Sequence, residues 1–486
     1  MNKFYSYIIL LVITATSLFT SCNSDELQAY VTLSQQAVYF TAINQSTTIT
    51  YTGSNIATLV ADSDDIPDGW AVNINRNDKT ILIVGPTTYE DFKSSLTSTV
   101  ITFTATSVDD DEGYDYLTVG TTELSENLTD KQANSFIASK PNTVYTFSGE
   151  YKGENQEPIS PSSVKILWQT YPSPLSYSLL TTAGEVEFHV KVDEDDIDND
   201  GLTDDIIEGN ALIAAYDDNE NIIWSWHIWV SDFDAEESAI IMNNTTLMSR
   251  NLGANDNSTY DESSILESYG LYYQWGRKDP FVGPYAFNAA ASTDASMTNE
   301  AGSSAYISYV ESSKRVGTEL YAMENPLTFI LGVEESSYDW LYSLHSSSLW
   351  SNSTKDINDP CPKGWRVASP EAFDGLMVPS LTEDELNAIY NNYGWDLTDA
   401  AGNSALFMGL GRRGYITGKI QNVNLNTERP APWAGFYWTS LADSATDNSS
   451  TAMYFSFDNQ ELSGNEIMLS TYYRSNGMQV RCQRDE

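Results

Sequence analysis

The chain is poor in positive charge, in histidine and in cysteine. It has 24 Lys and Arg against 68 Asp and Glu, which gives a formal net charge of −44, and it has 3 His and 3 Cys. A surface this acidic repels phosphate backbones and anionic lipid headgroups, so we expect no nucleic-acid partner. Cations or neutral molecules such as sugars fit the charge better; alternatively, the acidity only keeps an exposed protein soluble.

The sequence also lacks the common enzyme motifs. It contains no Gly-x-Ser-x-Gly, no His-Glu-x-x-His and no phosphate-binding glycine loop. No pair of carboxylates at converging strand ends is evident, although a pair outside any motif stays open in so acidic a chain. We therefore predict that the protein is not an enzyme, with a carbohydrate-active enzyme as the less favoured alternative.

Apolar and aromatic side chains are abundant. Hydrophobic residues make up 41% of the chain and aromatic residues 12%, so the acidity must lie on folded surfaces and in turns. At roughly 150 residues per domain, the length predicts about three domains.

The N-terminus reads as an export signal. A basic residue and an apolar run from Ile8 to Phe19 precede small polar residues and Cys22, and the run is too short to span a bilayer stably. Leu-Phe-Thr-Ser-Cys resembles a bacterial lipobox, and Asn23–Leu27 resembles the export signal of Bacteroidetes surface lipoproteins. The resemblance implies a cleaved signal over residues 1–21, lipidation of Cys22, an anchor and linker over 22–29, and a surface-exposed outer-membrane lipoprotein. A Cys that falls by chance in an ordinary signal peptide is the alternative.

Two cysteines remain if Cys22 carries lipid. Cys361 and Cys482 would lie in an oxidising compartment, where an even pair is most simply a disulfide. A catalytic thiol or a metal ligand is the alternative. Both are disfavoured because no His lies near Cys361 in the sequence and no second Cys stands at ligand spacing.

Short runs of alternating apolar and polar residues predict a mainly β protein. They are separated by Asn, Asp, Gly and Pro, as in antiparallel strands joined by turns. Residues 30–120 predict an immunoglobulin-like β-sandwich, and residues 121–232 predict a second sandwich. His227, isolated among alternating aromatic residues, is predicted to be a packed strand residue.

The chain changes character after residue 232. Long loops rich in Ser, Asn and Gly alternate with a few helical patterns, which predicts an α+β domain over residues 233–486. Ser369 or Pro370 with Glu371 is typical of a helix start, and Thr382 with Glu385 has capping-box spacing.

An acidic stretch near the end of the second predicted sandwich has the spacing of a calcium loop. Oxygen ligands stand at suitable positions, although Ile207 occupies the place of the usual bidentate Glu. We predict either a structural Ca²⁺ ion or a mobile acidic insertion between strands. The predicted ligands are Asp196, Asp198, Asp200, Leu202 (through its carbonyl) and Asp204.

Five blocks of the last half of the chain resemble one protein family. They are Asn243–Ala254, Tyr269–Phe281, Asp359–Phe373, Gly435–Ser440 and Arg474–Asp485. In this order they resemble the Fibrobacter succinogenes major paralogous domain family, which is similar to C-type-lectin-like folds. The resemblance implies a C-type-lectin-like domain over 233–486, in which Cys361 and Cys482 join the predicted helix start to the last strand. It also implies that Trp365, Tyr437 and Trp438 are core residues.

The chain departs from related families at their functional motifs. It shows neither the calcium–sugar motifs of calcium-dependent lectins nor the paired cysteines of formylglycine-generating enzymes, so neither site is carried over. Gln132–Phe147 and Gly209–Asp232 also resemble the sandwich that precedes such a lectin-like domain in fimbrillin-related Bacteroidetes surface proteins.

These observations predict a surface protein for binding or adhesion. Glycans are the leading ligand, because aromatic faces and Asn, Asp and Arg side chains match sugar C–H faces and hydroxyls. The loop Gly418–Trp433 is the predicted site, and a fimbrial accessory or tip subunit that binds protein partners is the alternative. The candidate ligand-binding residues are Asn424, Asn426, Glu428, Arg429 and Trp433.

Overall fold

The protein is described by a computed structural model, and it is mainly β, as the sequence predicts. Its residues group into two compact units, one within Met1–Phe40 and Gln45–Thr121 and the other within Thr41–Asn44 and Thr122–Glu486. No helix of the described part is long and apolar enough to cross a bilayer. The structure describes residues 28–41, 43–96, 98–122, 124–154, 157–193, 205–286, 293–351, 353–378, 393–409, 411–421, 434–443, 448–456 and 467–485.

The first unit is a β-sandwich of two four-stranded sheets, ordered β1-β3-β6-β5 and β2-β8-β7-β4. Inward residues such as Ile81 and Phe103 alternate with exposed ones, so both sheets bury one face in a shared core. The helix α1 (Tyr89–Ser94) begins where the Thr88 side chain accepts a hydrogen bond from the Asp91 backbone N–H. The strands are β1 (Tyr30–Leu33), β2 (Ala37–Phe40), β3 (Ser46–Ser54), β4 (Thr58–Ala61), β5 (Ala71–Asn75), β6 (Thr80–Val84), β7 (Thr99–Thr106) and β8 (Glu112–Thr121).

The second unit begins with another sandwich, which starts at β9 (Leu124–Asn127). Its four-stranded sheet is ordered β15-β16-β11-β9, and its larger sheet starts β10-β18-β17-β14. The other strands are β10 (Ser135–Ala138), β11 (Thr143–Ser148), β12 (Tyr151–Lys152), β13 (Glu157–Pro158), β14 (Ser163–Thr170), β15 (Leu175–Leu180), β16 (Glu185–Val190), β17 (Gly209–Tyr216) and β18 (Ile222–Val230).

The rest of the second unit carries short strands around one large aromatic core. A seven-stranded sheet holds β30-β29-β34-β31-β32-β33 with β21 beside β34, and a four-stranded sheet is ordered β19-β20-β35-β26. Within the described residues of this half, the helices are α2 (Glu262–Glu267) and α3 (Glu319–Glu324). The strands are β19 (Ile240–Met242), β20 (Thr245–Leu247), β21 (Tyr272–Gln274), β22 (Met297–Thr298), β23 (Ser304–Ala305), β24 (Ser308–Glu311), β25 (Thr328–Leu331), β26 (Trp365–Val367), β27 (Gly394–Thr398), β28 (Ser404–Met408), β29 (Arg412–Arg413), β30 (Ile420–Gln421), β31 (Ala434–Ala442), β32 (Ser449–Ser456), β33 (Met468–Tyr473), β34 (Gly477–Val480) and β35 (Cys482–Arg484).

The two halves of the second unit share a sheet and a core. Strands β22 and β23 extend the larger sandwich sheet beyond β14. Along β18, Trp226 and Ile228 face the sandwich core while Trp229 packs into the C-terminal core, so this strand is buried on both faces. The predicted boundary at residue 232 therefore lies inside one compact unit.

His227 lies in this contact as a buried strand residue, as predicted. Its Nε2 is 2.8 Å from Asn210 Oδ1, and its Nδ1 is 3.0 Å from Ser135 Oγ. Asn210 in turn donates from Nδ2 to the carbonyl of Gly253. The histidine therefore belongs to a polar network between the halves of the unit.

Cys361 and Cys482 form the predicted disulfide, which ties the turn before β26 to β35. Trp365, Tyr437 and Trp438 are buried core residues. The predicted helix start at Ser369 is only a short 3-10 turn, Pro370–Ala372, and the chain then reaches the left-handed Gly375, whose φ of 68° an α-helix cannot contain. The pattern from Thr382 falls outside the described residues.

Candidate functional site

Most of the predicted site residues lie outside the part of the chain that the structure describes. This holds for Cys22, for the calcium-loop residues Asp196, Asp198, Asp200, Leu202 and Asp204, and for the loop residues Asn424, Asn426, Glu428, Arg429 and Trp433. The described part of the predicted loop is its base, Gly418–Gln421. That base lies beside a cleft.

We call this cleft the tyrosine cleft; its volume is about 550 Å³. This lies within the usual range for small-molecule sites. Tyr285 and Tyr306 line it and are 61% and 77% exposed, which is high for aromatic side chains. The lining residues with polar side chains include Tyr285, Thr293, Asp294, Ser296, Ser304, Tyr306 and Lys419.

Short backbone pairings hold the two tyrosines on opposite segments. Tyr285 donates from its backbone N–H to the Thr293 carbonyl at 2.8 Å, beside an antiparallel bridge between Pro284 and Asp294. Tyr306 follows β23, which pairs with β22. Both tyrosines are thus positioned through the backbone, and their side chains are exposed at the cleft.

Arg413 does not line the cleft, because its fully buried side chain lies behind the lining residue Asp294. We call this supporting layer, Arg413 with Tyr309, the floor. Its Nη2 donates to Asp294 Oδ1 at 2.7 Å, and its Nη1 donates to Tyr309 Oη at 3.2 Å and to the Gly418 carbonyl at 3.1 Å. Tyr309 Oη donates to Asp294 Oδ2 at 2.9 Å. One cation therefore positions the carboxylate, the phenol and the base of the predicted loop.

Burial raises the pKa of Tyr309 to about 12, although the positive charge of Arg413 opposes the shift. Tyr309 therefore keeps its proton at neutral pH and remains a hydrogen-bond donor to Asp294.

Gly418 brings the predicted loop close to the floor. Its φ is 66°, and a Cβ at this position would lie 2.3 Å from the Tyr309 ring. The next residue, Lys419, places its Nζ 5.3 Å from the centre of the same ring and lines the cleft. A glycine is required here because both the conformation and the space exclude a side chain.

The cleft offers the groups that recognise a polyhydroxylated, uncharged molecule. Its rim has two exposed aromatic rings, Tyr285 and Tyr306, while Asp294 and Lys419 supply an acceptor and a donor. Among its described lining residues, Asp294 is the one carboxylate, and Arg413 holds it. Within the described residues, no group of three or more His, Cys, Asp or Glu side chains could hold a metal ion.

A second pocket, which we call the edge pocket, has a volume of about 390 Å³ and lies beside β10. The carbonyl of Asn134 accepts a hydrogen bond from β18, and that of Ala138 accepts one from Ser231, just after β18. The backbone groups of Ile137 therefore face the other way, toward the pocket. No described residue bonds to the Ile137 backbone on that side. The apolar lining comprises Leu128, Phe136, Ile137, Phe233, Ala235, Pro362 and Trp365.

Sequence reasoning missed Tyr285, Asp294 and Tyr306. They lie in short irregular segments without periodicity, and they meet Lys419 from more than a hundred residues away in the sequence. The predicted loop Gly418–Trp433 includes one of the lining residues, Lys419, which was not itself among the candidate residues.

Comparison with known proteins leaves the family open. No protein-family model matches the chain, and no curated protein matches it. Among solved structures, SporoSAG from Toxoplasma gondii is 8% identical over 40% of this chain and 94% of that chain, with a TM-score of 0.14. The Ig1-2 module of the Drosophila receptor protein tyrosine phosphatase DLAR is 8% identical over 41% and 98%, with a TM-score of 0.15.

A third match is to SGBP-B of the mixed-linkage glucan utilization locus of Bacteroides ovatus, solved in complex with a mixed-linkage heptasaccharide. It is 12% identical over 39% of this chain and 43% of that chain, with a TM-score of 0.11. Scores this low give no basis for a functional assignment, so the function must be argued from the cleft itself.

Proposed function

We propose that the protein binds neutral glycans through the tyrosine cleft of its second unit. The observation that carries the proposal is the pair of exposed tyrosines, Tyr285 and Tyr306, on the walls of one cleft that also presents Asp294 and Lys419. Aromatic faces pack against the C–H faces of sugar rings, and the polar groups bond to hydroxyls.

The charge of the chain favours an uncharged ligand. A net charge of −44 repels acidic polysaccharides over distances of a Debye length, about 8 Å at physiological salt. In the cleft, the buried Arg413 neutralises Asp294, and the exposed Lys419 is the one cation among the described lining residues. A neutral sugar therefore meets no strong local field.

We propose binding rather than hydrolysis. Glycoside hydrolysis by the usual mechanisms needs two carboxyl groups that flank the scissile bond. Asp294 is the one carboxylate on the described lining, and it forms an ion pair with Arg413. Incubation of the protein with each glycan it binds should therefore release no reducing ends.

A glycan array followed by calorimetry tests the proposal. Substitution of an aromatic anchor in an interface commonly costs about 1 to 2 kcal/mol, so Tyr306→Ala should weaken binding on the order of tenfold. The matched control is Tyr260→Ala, because Tyr260 is 90% exposed and does not line the cleft. An array without a hit from a folded protein, or equal losses in both variants, would contradict the proposal.

We propose that a lipid on Cys22 holds this binding unit at the outer-membrane surface. The lipobox-like residues before Cys22 support the proposal. Growth with a radiolabelled fatty acid should label the wild-type protein and not Cys22→Ser. Protease added to intact cells should degrade the wild-type protein if the anchor lies on the outer face.

The edge pocket favours a second candidate function, attachment to a protein partner such as a fimbrial subunit. An extended segment of the partner could pair with the outward backbone of Ile137 and place an apolar side chain in the pocket. Ile137→Pro removes the outward N–H and should abolish co-purification of the partner, while Ile137→Val should retain it. Retention by both variants would reject this function.

A further inference from the structure

A second group of tyrosines lies next to the tyrosine cleft. The rings of Tyr338, Tyr415 and Tyr473, which we call the tyrosine triad, contact each other with centre-to-centre distances of 5.3 Å (338–415), 5.1 Å (338–473) and 5.0 Å (415–473). All three side chains are partly exposed. Aromatic rings that pack on each other at the surface form a stable apolar platform in water.

The triad is held in place at the cost of backbone strain. Ser337 and Tyr338 have φ values of 53° and 63°, in the left-handed region that non-glycine residues seldom adopt. Tyr338 donates from its N–H to the Val333 carbonyl at 2.8 Å, and Asn448 Nδ2 donates to the Ser337 carbonyl at 2.6 Å. Strain of this kind concentrates at functional sites, because packing alone rarely favours it.

One hairpin tip joins the triad to the cleft. The Gly418 N–H donates to the Gly414 carbonyl at 2.8 Å, which closes a tight turn between β29 and β30. Tyr415 stands at the start of this turn and belongs to the triad, whereas Lys419 follows its end and lines the cleft. Four extended residues span at most about 13 Å, so the two tyrosine groups flank one small tip.

The strands beneath the hairpin tip also connect the tyrosine triad to the tyrosine cleft. The Gly332 N–H, just after β25, donates to the Tyr415 carbonyl at 2.7 Å. Strand β25 pairs in parallel with β24, which carries Tyr309 of the cleft floor. Between the two groups, Ile416 and Thr417 are exposed and present no charge.

We propose that the cleft, the hairpin tip and the triad form one extended surface for a linear neutral polysaccharide. The inference rests on the proposed glycan binding and specifies its ligand: an internal stretch of a long chain rather than a single terminal sugar. Aromatic platforms at both ends contact successive sugar rings, so affinity increases with chain length until both platforms are covered.

The test is calorimetry of the whole protein with oligosaccharides of graded length. The probes are cello-, xylo-, manno- and malto-oligosaccharides from disaccharide to octasaccharide, together with the parent polysaccharides. In the series that binds, the longest members should bind at least about tenfold more tightly than the shortest. Tyr306→Ala should weaken all lengths.

Tyr338→Gly is the decisive triad variant. It removes a ring while the glycine adopts the left-handed conformation without strain, so relief of strain offsets part of the lost ring contacts and the variant should still fold. It should abolish the gain with length and leave binding of the shortest ligands within about twofold. Tyr415→Ala is the second triad variant, Tyr260→Ala is the control, and near-UV circular dichroism verifies folding.

The outcomes separate the inference from the proposed function. If glycans bind with one affinity at all lengths, or if both triad variants bind the longest ligands like the wild type, the extended surface is refuted and glycan binding by the cleft stands. If no series binds to the folded protein, both proposals are refuted.

Discussion

Acid should weaken the second unit through one histidine, His227. Asn210 donates from Nδ2 to the Gly253 carbonyl, so its Oδ1 faces Nε2 of His227 and accepts the proton that this nitrogen carries. A neutral imidazole must then accept at Nδ1 from the hydroxyl of Ser135. Burial lowers the pKa of His227 to about 3 and favours the neutral form.

The sign and size of the effect follow from this shift. In the unfolded chain, His227 takes up a proton below its ordinary pKa of about 6.5. In the folded protein, it takes up the proton only when the pH falls to about 3. The contribution of His227 to the free energy of unfolding is therefore fully present above about pH 6.5, and it is lost as the pH falls toward about 3. Each pH unit in this window corresponds to about 1.4 kcal/mol, so His227 should lower the free energy of unfolding by about 2 kcal/mol at about pH 5.

Urea unfolding at about pH 7.5 and about pH 5, which bracket the ordinary histidine pKa, measures the effect. Tryptophan fluorescence reports the second unit, because every tryptophan except Trp70 lies beyond residue 121. The control is His227→Gln, which retains an amide toward Asn210 but does not titrate. All other groups are common to both proteins, so the difference in their pH dependence isolates His227.

A difference of the opposite sign would refute the reasoning. Ser135 Oγ also lies 2.6 Å from the Pro360 carbonyl oxygen, and its one proton serves one partner at a time. If that proton goes to Pro360, His227 donates from both nitrogens and is charged in the folded state. Acid would then stabilise the wild type relative to His227→Gln.

Three further predictions concern cross-links, the cleft floor and calcium. Replacing Cys361 and Cys482 by Ala removes a cross-link between residues 121 positions apart, which restricts the entropy of the unfolded chain. The free energy of unfolding, measured in urea without reductant, should fall by about 5 kcal/mol. A loss below about 1 kcal/mol would contradict this reasoning. Arg413→Met should cost about 3 to 5 kcal/mol because it leaves Asp294 partly buried without its cation, and it should also abolish glycan binding; wild-type stability and affinity would contradict the assigned floor. If the acidic loop binds Ca²⁺, a Ca²⁺ concentration of a hundred times the Kd should add about 2.7 kcal/mol to the free energy of unfolding. Chelator should remove this gain, and so should Asp200→Asn. Equal melting temperatures with Ca²⁺ and with chelator would reject the site.

The sequence predicted most accurately where one local period decides the structure. Alternating runs such as the one at Thr99–Thr106 became strands, because a strand buries every second residue in one core. The prediction from sequence was wrong at Pro370, where a capping pattern predicted a helix and the structure has a 3-10 turn. The left-handed Gly375 ends any helical continuation. Local patterns give the start of an element more reliably than its length.

The mainly β architecture and the cysteine pair could be predicted without a structure, because they follow from periodicity and from counting. The tertiary structure alone decided which surfaces could bind a ligand. Tyr285, Tyr306 and Lys419 meet only after β22 joins the sandwich sheet and Arg413 draws Gly418 onto the floor of the cleft. No local pattern carries that information, since the free energy that brings these side chains together comes from a core and a buried cation far from them in the sequence.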